Sequence, residues 1–201
     1  MKKATFSFIL CKRSIFVDRM QFFFDELNIM SGKKDIFLIH TTSILVEKKN
    51  MSISKLYIPE SRNTPEIDFN PDDGVLILKG KSTPENATKI YEPILEWIKE
   101  YIQNPVEKTY LHLNLTYFNT SSSIWITRMI KALSKIDDRD KLLTINLYFH
   151  VEEYDEMDDE DVQDAIAMVL KVLNDATVSL GVKVYGIDDF GAILKERLIL
   201  L

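Results

Sequence analysis

From residue 51 onward, short apolar runs of period two alternate with longer runs of period near 3.6, the pattern of strands interleaved with helices. Residues 55–58 and 66–69 read as short strands, with turn signals at Asn63-Thr64-Pro65 and Asn70-Pro71-Asp72-Asp73-Gly74. The apolar run Val75–Lys79 ends at Gly80, which predicts a hairpin across Asp72–Gly74. Ser82-Thr83-Pro84-Glu85 then has the composition of a helix start: a hydroxyl cap, a proline at the first helical position and an acid in the first turn. That helix is expected to bury Ala87, Ile90, Tyr91, Ile94, Ile98 and Tyr101 on one stripe, to kink at Pro93 and to end at Asn104-Pro105.

Thr109–Tyr117 alternates cleanly, with Leu111, Leu113 and Leu115 on one face. Asn119-Thr120-Ser121-Ser122-Ser123 caps a second helix, in which Ile126, Met129, Ile130 and Leu133 keep helical spacing. Leu142–His150 is a further strand, and Asp158–Ala176 a third helix through Val162, Ile166, Val169 and Leu173. Gly181 ends the turn after it, Val182–Tyr185 is a short strand, and Asp188–Leu200 a last helix capped by Asp188 or Asp189. The sum is an α/β fold in which a few N-terminal strands are followed by αβαβαβα, with right-handed parallel crossovers in a mixed sheet.

Composition changes near Met51. Residues 1–50 carry a net charge of +4 and seven of the eleven phenylalanines, whereas residues 51–201 carry -10 and all six prolines. In the first segment Phe16–Ile29 has the spacing of an amphipathic helix and Phe37–Leu45 that of a strand. Met1-Lys2-Lys3 followed by Ala4–Leu10 resembles the start of a secretory signal. Its apolar stretch is short, however, and runs into Cys11-Lys12-Arg13 without a small-residue cleavage site. Residues 1–50 are therefore read as an extension, favoured as a translated leader ahead of a natural start at Met51, and residues 51–201 as one domain.

Several function classes drop out. No apolar run reaches the ~18 residues of a membrane span. A single cysteine, Cys11, excludes a disulfide framework or a multi-cysteine zinc site. The overall net charge of -6 argues against generic nucleic-acid binding. Gly80-Lys81-Ser82 imitates the end of a phosphate loop, but Val75 stands where the first glycine is needed and the intervening residues form a strand. His40, His112 and His150 are unpaired by spacing, the latter two lying in strands opposite the leucine faces, so half-buried histidines are expected rather than metal ligands. No Gly-x-Ser-x-Gly elbow is present, and nothing positive indicates an enzyme or a cofactor.

The run Glu152–Asp161 has eight carboxylates in ten positions. It lacks the alternate ligand spacing and central glycine of a calcium loop. It reads as a solvated loop leading into a helix N-terminus, with docking of a basic partner as the functional version. Tyr117-Phe118-Asn119-Thr120-Ser121-Ser122-Ser123 is more informative, because one cap satisfies a helix start and here four hydroxyls stand in a row. A phosphate on one of them would meet the positive helix end while presenting a docked partner with charge and bulk. The residues alone leave cap and switch equally open.

Residues 58–164 resemble the SiaC family of bacterial biofilm-regulating phosphoproteins, a domain similar to the STAS anti-sigma-factor antagonists. The resemblance lies in Ser61-Arg62-Asn63-Thr64-Pro65-Glu66-Ile67, in Ser82-Thr83-Pro84-Glu85-Asn86, and in Leu113-Asn114-Leu115-Thr116-Tyr117-Phe118-Asn119-Thr120-Ser121-Ser122. It implies a STAS-like, non-enzymatic and cytoplasmic switch without a cofactor. In that family a kinase phosphorylates the threonine of Asn-Thr-Ser-Ser, a PP2C-type phosphatase removes the phosphate, and the unphosphorylated form activates a diguanylate cyclase, raising cyclic di-GMP. The resemblance thus makes Thr120 the phosphoacceptor, with Asn119, Ser121 and Ser122 shaping its pocket and Pro84, Glu85 and Asn86 on the same partner-binding face. The stretch after Asp164 departs from the family's usual ending. A STAS-like module holding a nucleotide or lipid near the same helix start is the alternative.

Overall fold

Seven of the apolar runs become strands of a single sheet. A computed structural model describes residues 53–157 and 176–200. Strand β1 (Leu56–Ile58) pairs antiparallel with β2 (Glu66–Asn70), and β2 with β3 (Val75–Ser82). The β2–β3 turn closes on its own polar side chains. Asn70 Nδ2 donates to Asp73 Oδ2 at 2.8 Å, and the amide of Val75 donates to Asp73 Oδ1 at 3.0 Å. Gly74 completes it at φ +70°, a left-handed conformation open to glycine. The hairpin expected at Asp72–Gly74 is present.

Helix α1 (Ala87–Tyr101) leads to β4 (Lys108–Phe118), and α2 (Thr120–Leu133) to β5 (Leu142–His150). A short helix, α3 (Val151–Glu156), follows directly. Then come β6 (Ser179–Ile187) and β7 (Ile193–Leu200). Among the described residues the strands lie side by side in chain order, with β3 to β6 mutually parallel and β7 antiparallel to β6. The cross-strand row Phe69–Leu76–Leu111–Ile145–Val182 spans five strands, and each member is at most 1% exposed. Helix α1 covers this face, with Trp97 edge-on to Phe69 at 5.4 Å and the Tyr101 hydroxyl 2.9 Å from Thr109 Oγ1. Fully burying each such side chain is worth roughly 1.5–3 kcal/mol, so this row is a major part of the core, together with the buried side chains of α1 and α2.

Four expectations need correction. The first helix starts later than predicted: Ser82 ends β3, and α1 is capped by Asn86, whose Oδ1 accepts from the Lys89 amide at 3.1 Å. Ser82 is unavailable as a cap because its hydroxyl is fully buried in contacts with Tyr91 and Ser122. Pro84 and Glu85 consequently lie in the β3–α1 connection, and the first turn of α1 has no acid. The helix continues through Pro93 to Tyr101, with Pro93 on its exposed face.

The last helix is absent. Residues 193–200 form β7, and the polar side chain of Asp188 caps a tight turn instead. Its Oδ1 accepts from the amides of Phe190 and Ala192 at 2.9 and 2.8 Å, while Gly191 reverses the chain at φ +81°. Aspartate stabilises helix starts and such turns by the same local bonds, so its presence could not separate them. Gly181 does not end a turn but pairs with Thr144 and Leu200 inside a β6 longer than the predicted Val182–Tyr185 strand. The acidic run begins as α3 rather than as a loop. The predicted helix Asp158–Ala176 falls almost wholly outside the described residues. The helix and strand expected within residues 1–50, and the boundary at Met51, lie outside them entirely.

Candidate functional site

The parallel strands end on one edge, where each hands over to the next connection. Asn119 follows β4 directly in an extended conformation (φ -90°, ψ 172°) and caps α2, its Oδ1 accepting from the Ser122 amide at 2.9 Å. This one side chain supplies the cap. The four hydroxyls after it divide by environment. Ser122 is fully buried and Ser123 is 2% exposed, whereas Thr120 and Ser121 face solvent. Ser123 Oγ turns back onto the Thr120 carbonyl at 2.7 Å, and Thr127 Oγ1 onto the Ser123 carbonyl at 3.1 Å.

Ser122 ties the site to the sheet. Its hydroxyl donates to the Ser82 carbonyl at 3.1 Å and accepts from Ser82 Oγ at 2.8 Å. Ser82 has a single hydroxyl proton, so the 2.5 Å contact between Ser82 Oγ and the Tyr91 hydroxyl has Tyr91 as donor. The chain Tyr91–Ser82–Ser122 is therefore completely directed and wholly buried, linking α1, β3 and α2. Burial pushes the Tyr91 hydroxyl above its ordinary pKa against the opposing effect of its serine partners. Removing this donor in Tyr91→Phe is expected to cost about 1 kcal/mol. A drop of roughly 2–4 °C in Tm would register it.

The three sequence stretches that carry the family resemblance converge here. The Thr83 amide donates to the Asn63 carbonyl at 2.8 Å, and the Asn119 amide to the Ser82 carbonyl at 3.0 Å. The Ser61–Thr64 loop is closed on itself by a hydroxyl–hydroxyl bond of 2.6 Å. Of the residues expected on the partner-binding face, Ser121, Glu85 and Asn86 are exposed, Asn119 is half-buried, and Pro84 and Ser122 are buried. Ser82 and Tyr91 belong to this site in addition to the residues expected from the sequence. The available signal was a serine closing an apolar strand, where a small hydroxyl marks a tight polar junction.

The remaining candidates are structural. His112 Nδ1 lies 2.7 Å from the Tyr148 hydroxyl, and Tyr148 stacks on Tyr185 at 4.9 Å. Burial holds the His112 ring below its ordinary pKa. Burial, with a smaller contribution from Tyr185, pushes Tyr148 up to about 12. The two therefore pair as neutral groups. With its native pKa depressed, His112 favours the fold fully above an unfolded value of about 6.5, and that contribution is lost as pH falls toward the native value. Between about pH 7 and pH 5, the fall in Tm is accordingly expected to be shallower in His112→Gln than in the wild type. His150 caps α3 and sits 3.2 Å from Asp189. Residues 75–79 form the strand expected in place of a phosphate loop, but β3 does not end at Gly80: it continues through a bulge at Gly80/Lys81 to Ser82. No cluster of three or more metal-ligating side chains is found among the described residues. Nor does any helix among them have the length and apolarity to cross a membrane.

Comparison with known proteins places the fold and the family. The chain is 33% identical over 86 residues to an uncharacterised protein of Pseudomonas aeruginosa strain UCBPP-PA14, a match covering 43% of this chain and 63% of that protein. It thus spans less than two thirds of that relative's length. Among solved structures, the complex of the diguanylate cyclase SiaD with its activator SiaC from Pseudomonas aeruginosa contains a chain of the same fold. That match has a TM-score of 0.51 and 20% identity, over 65% of this chain and 99% of the other. Apo-SiaC from the same organism gives a TM-score of 0.48 at 20% identity, over 64% of this chain and 98% of that one. Residues 58–180, well over half of the chain, match the family described as SiaC family regulatory phosphoproteins, and the chain belongs to that family.

Proposed function

We propose that this chain is a non-enzymatic, partner-binding regulator of the cytoplasm, switched by phosphorylation of Thr120. A serine/threonine kinase adds the phosphate and a PP2C-type phosphatase removes it. The unphosphorylated form binds and activates a diguanylate cyclase, raising cyclic di-GMP. The observation that carries this reading is the division of the hydroxyls at α2: Thr120 faces solvent, while Ser122 and Ser123 are consumed by the fold. A phosphate on Thr120 meets the positive end of α2, so the domain tolerates it while a partner docked there does not. The fold shared with a chain from the complex of a cyclase and its activator supports the choice of partner. Ser121, Glu85 and Asn86 make contact with that partner, whereas Asn119, Ser122 and Pro84 hold the surface in shape.

The test compares the dephosphorylated protein with the kinase-treated protein. Phosphosites are mapped by mass spectrometry and cyclase binding is followed by calorimetry. Phosphate on Thr120, none on Ser122 or Ser123, and binding by the dephosphorylated form alone are expected. Binding indifferent to phosphate would sink the proposal. Uptake of a nucleotide or lipid regardless of phosphorylation would favour a small-molecule module instead.

A further inference from the structure

Helix α2 displays one solvent-facing stripe. Thr120, Ser121, Arg128 and Lys131 are exposed on it, Ile124 is half-buried, and Lys135 continues it in the turn beyond the helix. At 100° per residue these six positions fall within about 100° of arc, so they form a single face headed by the two accessible hydroxyls. The stripe carries three positive charges, and α2 itself contains no acid. The lysine ion pairs among the described residues use Lys55, Lys99 and Lys195, and none of them involves Arg128, Lys131 or Lys135. Arg128 is held in place over the Trp125 ring at 4.7 Å. All this stands in a region of residues 51–201 with a net charge of -10, where a purely positive face is not the average surface.

We infer that this stripe is the docking face for an acidic surface of the regulated protein partner, one whose carboxylates are spread over about 22 Å along α2. The inference rests on the proposed switch and adds the sign of the partner. A phosphate brings roughly -1.5 to -2 charges to the head of the stripe. Facing a basic partner, that charge would tighten the complex. Facing an acidic partner, the phosphate adds like-charge repulsion to its bulk, and the basic residues along α2 are the complement of such a face.

The test uses the full chain and the diguanylate cyclase of the same cell that the unphosphorylated wild type stimulates. Binding is measured at low and at physiological salt. Arg128→Glu/Lys131→Glu is expected to lose at least about tenfold in affinity and to flatten the salt dependence. The neutral pair Arg128→Gln/Lys131→Gln is expected to fall between it and the wild type, and it serves as the readout if the reversed pair is poorly folded. Reversal of α3, Glu152→Lys/Glu153→Lys, is expected to leave affinity within about twofold. Unchanged or tighter binding by both stripe variants, or loss of binding on α3 reversal alone, overturns the inference while leaving the switch intact. If the wild type binds no cyclase in either phosphorylation state, the switch itself fails and this inference falls with it.

Discussion

Thr120→Asp is expected to weaken cyclase binding by about 30-fold or more, because placing like charges face to face across an interface costs several kcal/mol and about 1.4 kcal/mol already accounts for tenfold. Authentic phosphate, with nearly twice the charge of aspartate and greater bulk, should weaken it further. The same substitution acts oppositely on the fold. An acid in the first turn of α2, which has none, gains roughly 0.3–1 kcal/mol from the helix dipole. Tm should therefore hold or rise slightly while binding collapses, and that divergence separates a blocked surface from a damaged domain. Thr120→Ala should bind as the dephosphorylated wild type does and stay insensitive to the kinase. Equal affinities for Thr120→Asp, Thr120→Ala and wild type by calorimetry would remove Thr120 from the switch.

What the residue pattern revealed depended on how many physical demands agreed at each position. Leu142–His150 was bounded correctly because β-branched and apolar residues, parallel pairing and burial all favour a strand there. Thr109–Tyr117 was legible for the same reason, and of its alternating leucines Leu111 lies wholly buried while Leu113 and Leu115 are half-buried toward the strand's end. The misreadings fell on residues with two equally good local uses. Ser82 can cap a helix or sit at a buried strand end, and only the distant Tyr91 and Ser122 decide between them. Asp188 can start a helix or close a turn, and pairing of β7 along β6 decides for the turn.

The site shows the same division between local and distant information. Family resemblance singled out Thr120, whereas the local chemistry of Thr120, Ser121, Ser122 and Ser123 could not rank them. Burial separates the exposed Thr120 and Ser121 from Ser122 and Ser123, and burial depends on how α2 seats against β3, a contact forty residues distant in the chain. The basic stripe was legible in principle, since Arg128, Lys131 and Lys135 keep helical spacing from Ser121. The acidic run at 152–161 is the stronger charge feature in the sequence, and three basic residues spread over eight positions do not stand out until the helix gathers them on one face.

Gly74→Ala should be the most damaging single-methyl change in the described residues. At φ +70° an alanine incurs roughly 1–2 kcal/mol of backbone strain before any contact is counted. Its Cβ would also stand 2.3 Å from the Lys108 carbonyl oxygen and 2.6 Å from Val106 Cγ2. A side-chain end can swing away, but the Lys108 carbonyl belongs to the backbone that leads into β4. Movement there is opposed by the bond from the Tyr110 amide to the Gly74 carbonyl at 2.8 Å, which fixes β4 against the hairpin. Strain and clash together should exceed about 4 kcal/mol, among the largest losses single substitutions produce. For a domain of this size that corresponds to a fall in Tm on the order of 10 °C. Gly191, also left-handed at φ +81° but with nothing within 4 Å of an added Cβ, supplies the control. Gly191→Ala should lose only the strain, roughly 1–2 kcal/mol. Thermal melts giving the two variants equal losses would show that backbone conformation alone, and not the close approach of β4, makes glycine necessary at position 74.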